Sequence, residues 1–134
     1  MANQPRVLLA EDNRISQRIG EAMLISLGCL VDIRANGREA VEACLADAYD
    51  VVLMDGFMPE MDGFEAAREI RRLERGRRTP IIALTAGQWG ASWNRCFDAG
   101  MDAYLQKPVS AERLAATLAE WLPQPGAETA FIAN

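Results

Sequence analysis

The amino-acid sequence predicts an α/β fold, a doubly wound five-stranded parallel sheet with flanking helices. Three observations lead there. Short apolar runs alternate with stretches of helical periodicity five times along 134 residues. Runs such as Val51-Val52-Leu53-Met54 and Ile81-Ile82-Ala83-Leu84 lack apolar/polar alternation, which marks strands covered on both faces. The connections are short, and right-handed crossovers between parallel strands restrict the topology to the doubly wound arrangement.

The elements follow in order. Val7–Ala10 reads as the first strand. Ile15, Ile19, Ala22, Met23 and Leu27 recur at helical spacing, and Gly28 stops that helix. Leu30–Ile33 is the second strand. Asn36-Gly37 turns the chain into a helix carrying Ala40, Val41, Cys44 and Leu45. Val51–Met54 is the third strand. Phe64, Ala67, Ile70, Arg71 and Leu73 predict a helix over about 64–75, ended by Gly76, and Pro80 opens the strand Ile81–Leu84. A helix over about 88–99 is closed by Gly100. Ala103–Gln106 is the fifth strand. Ser110 caps a last helix that ends near Leu122, with Glu112 near its N-terminus. Pro123-Gln124-Pro125-Gly126 breaks it. The expected organisation is one domain over 1–122 and a flexible tail over 123–134.

Composition narrows the function classes. Half the residues are hydrophobic, a quarter are charged, and the formal net charge is −5. Such a chain is not built to bind nucleic acid through bulk electrostatics. Cys29, Cys44 and Cys96 lie far apart and histidine is absent, which excludes a Cys/His zinc site and leaves free thiols in a reducing cytoplasm. No signal peptide or bilayer-length apolar run is present, so no membrane contact is expected.

Three strand ends carry matching chemistry. The first runs into Glu11-Asp12, the third into Asp55, and the fifth into Lys107-Pro108. In a doubly wound fold, ligands bind beyond the carboxyl ends of the strands. Each residue also has a plainer reading. Glu11-Asp12 would suit the positive end of a helix dipole, Asp55 a strand end, and Lys107-Pro108 a surface charge and a strand stop. Together they are harder to dismiss. Three neighbouring carboxylates repel, and one must protonate unless a cation lies among them. A hard divalent ion, Mg²⁺ above all, resolves this with Asp12 as direct ligand and Glu11 acting through water. A carboxylate held near Mg²⁺ and a lysine accepts a phosphoryl group, and Lys107 would be a point-charge partner for phosphate. Pro108 raises the chance of a cis peptide, which would aim this lysine inward. Thr85, at the end of the fourth strand, has a hydroxyl able to donate to a phosphoryl oxygen. Trp89 and Trp93 read as core packing or as an exposed partner anchor. The cluster Arg68, Arg71, Arg72, Arg75, Arg77 and Arg78 reads mainly as a solvated, dipole-favoured helix end.

Four segments together resemble the receiver domain of two-component response regulators. They are Leu8-Leu9-Ala10-Glu11-Asp12-Asn13, Leu53-Met54-Asp55 through Met58-Pro59-Glu60-Met61-Asp62-Gly63, Ala83-Leu84-Thr85-Ala86, and Ala99-Gly100-Met101-Asp102-Ala103-Tyr104-Leu105-Gln106-Lys107-Pro108. The resemblance covers about 5–122 and is greatest to receivers of hybrid sensor histidine kinases. It implies a flavodoxin-like receiver fold with strand order 2-1-3-4-5 and phosphorylation at Asp55. Mg²⁺ would sit on Asp12, Asp55 and the Phe57 carbonyl, with Glu11 through water. Thr85, Lys107 and the amides of Phe57 and Ala86 would hold the phosphoryl group. Tyr104 would turn inward as Thr85 moves. The donor would be a histidine kinase or histidine phosphotransfer protein in trans, or a kinase domain of the same parent protein. A homodimer through the fourth helix, fifth strand and fifth helix is open. Two positions depart from the family pattern. Phe57 stands where a smaller or polar residue is usual, and Gly87 where an amide or acid is common, which together imply slow loss of the phosphoryl group. Competing readings are a phosphorylation-independent interaction scaffold and an aspartate-nucleophile phosphatase of the haloacid dehalogenase type. The phosphatase would need a second aspartate where Phe57 stands. A flavodoxin-type electron carrier lacks its Ser/Thr/Gly phosphate cradle here.

Overall fold

The computed structural model describes residues 4–86 and 93–122. Five strands, β1 (Arg6–Ala10), β2 (Leu30–Arg34), β3 (Val51–Asp55), β4 (Ile81–Thr85) and β5 (Ala103–Gln106), form one sheet in the order β2-β1-β3-β4-β5. All four pairings are parallel. Five helices alternate with them: α1 (Arg14–Ser26), α2 (Gly37–Ala46), α3 (Gly63–Leu73), α4 (Trp93–Asp98) and α5 (Ala111–Trp121). The strand order reverses between β1 and β3, so the loops after these two strands diverge and leave a crevice at their carboxyl ends.

Side chains alternate across each strand, and the sheet therefore separates two cores. Val7 and Leu9 of β1, Val51 and Leu53 of β3, and Ile82 and Leu84 of β4 pack with Leu24 of α1 and Leu114 and Leu118 of α5. Leu8, Val52, Met54, Ile81 and Ala83 point the other way, onto Ala40 and Val41 of α2, Phe64, Ala67 and Ile70 of α3, and Cys96 of α4. Strands buried on both sides explain the unbroken apolar runs of the sequence.

Polar side chains begin the helices. Asn13, Asn36 and Ser110 cap α1, α2 and α5 through the amides of Ser16, Glu39 and Arg113, and Asp62 and Glu65 form a reciprocal capping box on α3. Each such cap contributes about 1 kcal/mol.

The structure differs from the sequence expectations in three places. Helix α3 stops at Leu73, not near 75. Glu74 is already extended, and its carboxylate accepts from the Thr79 amide at 3.2 Å and from Arg71 at 3.0 Å. Arg71 is not part of a solvated helix end. Its guanidinium donates to the carbonyls of Gly100 (2.8 Å) and Thr79 (2.7 Å) and to Asp102 (2.8 Å). Asp102 also accepts from the Ile81 amide and from Arg78, both at 2.8 Å. The end of α3 is thus tied to the starts of β4 and β5. Arg72 and Arg77 pair with Glu69 and Asp50. The third difference is in α1. Its apolar stripe faces the core only in part: Ile15 is 70% exposed and Ile19 53%, Met23 is half-buried against the core, and Leu24 is the buried residue of that helix.

The described part of the fourth helix begins at Trp93, so Gly87 and Trp89 lie outside the described residues, as does the expected tail over 123–134. Trp93 is half-buried and leans on Tyr104, their ring centroids 5.0 Å apart. Among the described residues no helix is long and apolar enough to cross a membrane.

Candidate functional site

At the carboxyl edge of the sheet, β1 delivers Glu11 and Asp12, β3 ends on Asp55, and β5 leads into Lys107. Carboxylate oxygens of Glu11, Asp12 and Asp55 lie within 4.8 Å of one another. The Lys107 ammonium bridges two of them, donating to Glu11 Oε1 at 2.6 Å and to Asp55 Oδ2 at 3.2 Å. Glu11 is buried, 2% exposed, and its second oxygen accepts from the Asn13 amide at 3.1 Å. Its lone pairs are largely engaged by protein, whereas Asp12 is exposed. Asp55 Oδ1 accepts from the Phe57 amide at 3.2 Å. The Lys107–Pro108 peptide is cis.

One close backbone approach shapes the pocket. Gly63, the first residue of α3, packs against the end of β3. A Cβ at that position would lie 2.2 Å from the Asp55 carbonyl oxygen, and the Gly63 amide donates to Gly56 at 3.0 Å. No side chain fits there, and the loop over 56–62 closes tightly beside the Asp55 carboxylate.

The electrostatics are dominated by burial and pairing. Burial pulls the Lys107 pKa down, but the hydrogen bond to Glu11 and the charge of Asp55 outweigh it, and the pKa lies above the ordinary lysine value. The ammonium is therefore charged throughout the neutral range. Three carboxylates and one ammonium leave two formal negative charges, the complement of one divalent cation. An all-oxygen donor set suits a hard ion of the Mg²⁺ type. The residues present fit such an ion, with Asp12 exposed to it and Asp55 buried beside it, its oxygens shared with the Phe57 amide and Lys107.

The remaining expected site residues lie near by, in different states. Thr85 is 1% exposed, and its hydroxyl donates to the Leu105 carbonyl at 3.3 Å. It is turned toward β5. Ala86 is exposed beside the site. Tyr104 is 51% exposed, on the outer side. The Phe57 ring is exposed and meets Phe64 edge-on, with centroids 6.0 Å apart. The ring itself carries no polar atom, and Phe57 meets Asp55 through its backbone amide.

Sequence reasoning missed one component. A groove of about 330 Å³ opens between α1 and the segment leading into α5. Leu9, Leu84 and Leu114 form its floor and Ile19, Met23 and Val109 its sides, and it ends on Glu11 and Lys107. The exposed Ile15 extends this apolar surface. Helical periodicity could not reveal it, because a stripe facing a core and a stripe facing a partner have the same spacing.

A carboxylate cluster with a bridging lysine lies at the switch point of a 2-1-3-4-5 sheet, the place where doubly wound folds bind their ligands, and its oxygens are grouped closely enough to hold a metal ion. The family model of the response regulator receiver domain matches residues 7–119. This chain belongs to that family. It is 35% identical over 153 residues to probable histidine kinase 1 of Oryza sativa subsp. indica, a match covering 91% of this chain and 16% of that protein. The chain thus spans about a sixth of the length of that curated relative. Among solved structures it resembles the receiver domain of sensor histidine kinase PA1611 from Pseudomonas aeruginosa, which has a magnesium ion coordinated in its active site cleft. The two share a TM-score of 0.82 and 44% identity, covering 89% of this chain and 98% of that one. It also resembles the receiver domain of the Saccharomyces cerevisiae response regulator Ssk1, crystallised with the histidine phosphotransfer signaling protein Ypd1. There the TM-score is 0.82 and the identity 30%, covering 90% of each chain.

Proposed function

We propose that this chain is a phosphorelay receiver in which Asp55 takes a phosphoryl group from a phosphohistidine, with Mg²⁺ held by Asp12, Asp55 and the Phe57 carbonyl and with Glu11 acting through water. The observation that carries this reading is the Lys107 ammonium, bonded at once to Glu11 and Asp55 beside the exposed Asp12. An Asp55 carboxylate oxygen forms the new bond to phosphorus. The bond between phosphorus and the histidine nitrogen breaks, and its electron pair stays on the imidazole. Lys107, the Thr85 hydroxyl and the amides of Phe57 and Ala86 hold the equatorial oxygens. The bound cation would screen carboxylate from phosphate and stabilise charge on those oxygens. The chain catalyses only its own phosphorylation and dephosphorylation.

The chain contains no histidine, so a histidine kinase or phosphotransfer domain supplies the group. The apolar surface of Ile15, Ile19 and Met23 flanks the pocket and suits a helical donor that brings its histidine to Asp55. For Thr85 to reach a phosphoryl group its hydroxyl must leave the Leu105 carbonyl. That frees the space into which Tyr104 turns and alters the face formed by α4, β5 and α5, where an output partner or a second copy binds. Cys29, Cys44 and Cys96 are unpaired, in keeping with a cytoplasmic setting.

The test is labelling by acetyl phosphate, read as intact mass. The expected result is one added phosphoryl group that requires Mg²⁺ and is lost in Asp55→Ala. A folded wild type that binds Mg²⁺ but takes no group from acetyl phosphate or a histidine kinase would sink the reading.

A further inference from the structure

The loop over 56–62 is held at its two ends by β3 and α3, and in its middle by a corner that belongs to neither. Asn36, the N-cap of α2, and Gly37, its first residue, reach across to it. The Gly37 amide donates to the Met61 carbonyl at 2.9 Å. A Cβ on Gly37 would lie 2.1 Å from that oxygen and 2.8 Å from its carbon. Gly37 has no left-handed backbone to explain it. As the first residue of α2 it could be alanine on conformational grounds, and the close approach is what demands glycine.

Asn36 uses both ends of its side-chain amide. The oxygen accepts from the Glu39 amide at 2.8 Å and caps α2, and the nitrogen donates to Glu60 Oε2 at 3.4 Å. Asn36 is 7% exposed. Glu60 itself has a left-handed backbone, φ 68°, which is strained for a residue with a long side chain and persists only where its surroundings hold it. Met58, between the clasped residues and Phe57, is buried in the core. Little slack remains between the clasp and Phe57.

We infer that the Asn36–Gly37 corner is a positioning element for this loop, setting the place of the Phe57 backbone and hence the affinity of the pocket for a divalent cation, although neither residue touches the cation. The inference rests on the proposed reading in which the Phe57 carbonyl is a ligand. Asn36 and Gly37 are positioning residues and not catalytic ones.

The test is Mg²⁺ titration by calorimetry on the wild type, Gly37→Ala, Asn36→Asp, and the double exchange Asn36→Asp with Glu60→Gln, with circular dichroism and melting to confirm folding. Asn36→Asp keeps a helix-capping oxygen but sets a carboxylate against Glu60. By charge alone an added carboxylate would tighten Mg²⁺ binding; the clasp requires it to weaken, by roughly threefold to tenfold for the loss of one polar contact. The double exchange has the wild-type net charge and restores a donor–acceptor pair in reverse, and should recover most of the affinity. Gly37→Ala should weaken binding more. If it fails to fold, Asn36→Asp and its rescue decide alone. Wild-type affinity in Asn36→Asp, or no recovery in the double exchange, would overturn the inference while leaving the pocket intact. A wild type that binds no Mg²⁺ would overturn the reading of the pocket and this inference with it.

Discussion

Lys107 joins β5 to residues at the ends of β1 and β3 through one ammonium. Removing it should separate two properties of the pocket. In Lys107→Ala the three carboxylates lose their resident positive charge, so Mg²⁺ should bind more tightly in calorimetry. The phosphoryl group loses its partner, so labelling by acetyl phosphate should slow by roughly a hundredfold, the scale of losing one preorganised stabilising group. A parallel fall in both properties would assign Lys107 to structure alone. In the proposed reading Phe57 acts on the reverse step. Its ring is exposed, lies edge-on to Phe64 and presents no polar atom to a water approaching Asp55. Phe57→Asn should shorten the lifetime of the acyl phosphate, measured as phosphate release after rapid removal of the donor. A wild type that already loses phosphate fast and is unchanged by the substitution would refute this role. Lys107, Asp55 and the acidic pair were legible in the sequence because strand ends are easy to locate and charge there is conspicuous. The engagement of Thr85 with the Leu105 carbonyl was not, since it depends on a rotamer and a neighbouring strand.

Among the elements, α1 shows where sequence patterning runs out. Its stripe has the spacing of a core helix, yet Ile15 and Ile19 are exposed. Replacing both with aspartate should cost little stability, within about 0.5 kcal/mol per exposed site. Labelling by acetyl phosphate should be unchanged, while transfer from a phosphohistidine protein falls at least about tenfold, the equivalent of 1.4 kcal/mol of docking energy. Equal loss with both donors would point to damage in the pocket. Strands were legible to within one residue at each end, because runs buried on both faces stand out from flanking charge. The end of α3 was not, because Arg71 and Glu74 satisfy the Thr79 backbone and stop the helix before Gly76. Long-range pairing of that kind has no local signature. The Asn36–Gly37 dipeptide was legible as a turn; its reach to Met61 was visible only in three dimensions.

At the scale of the whole molecule, stability should depend on alkaline pH through Tyr49. Burial first, then its hydrogen bond to Asp32, pushes the Tyr49 pKa from 10.0 up to about 12. The phenol is 2% exposed and donates to Asp32 at 2.7 Å. A raised folded-state value stabilises the fold fully below pH 10, where both states keep the proton. Above that the unfolded chain releases it while the fold retains it, and the contribution disappears as pH passes 12. Roughly 2 kcal/mol should be lost across that window, seen as a falling denaturation midpoint. Tyr49→Phe should be less stable at neutral pH and flatter above pH 10. Lys107 adds to the same slope, its raised pKa giving stability that is complete below the ordinary lysine value and lost as pH rises through the folded one. A wild-type profile that is level to pH 12 would count against both assignments.

The knot of Arg71, Asp102 and Arg78 lies at the amino end of the sheet, opposite the pocket. In mechanical terms it is a fulcrum. Asp102 is held to β4 by its own amide, 2.8 Å from the Ile81 carbonyl, so β5 is pinned at its start. Its finish is held by the Lys107 amide on the Thr85 carbonyl and by the Lys107 ammonium on Glu11 and Asp55, the contacts that would be exchanged if a phosphoryl group arrived. A tilt of about 10° about that pin would carry Lys107, roughly 16 Å along at about 3.3 Å per residue, through about 3 Å. A shift that is small at the base of the strand is thereby magnified at the tip, beside the carboxylates of Glu11 and Asp55.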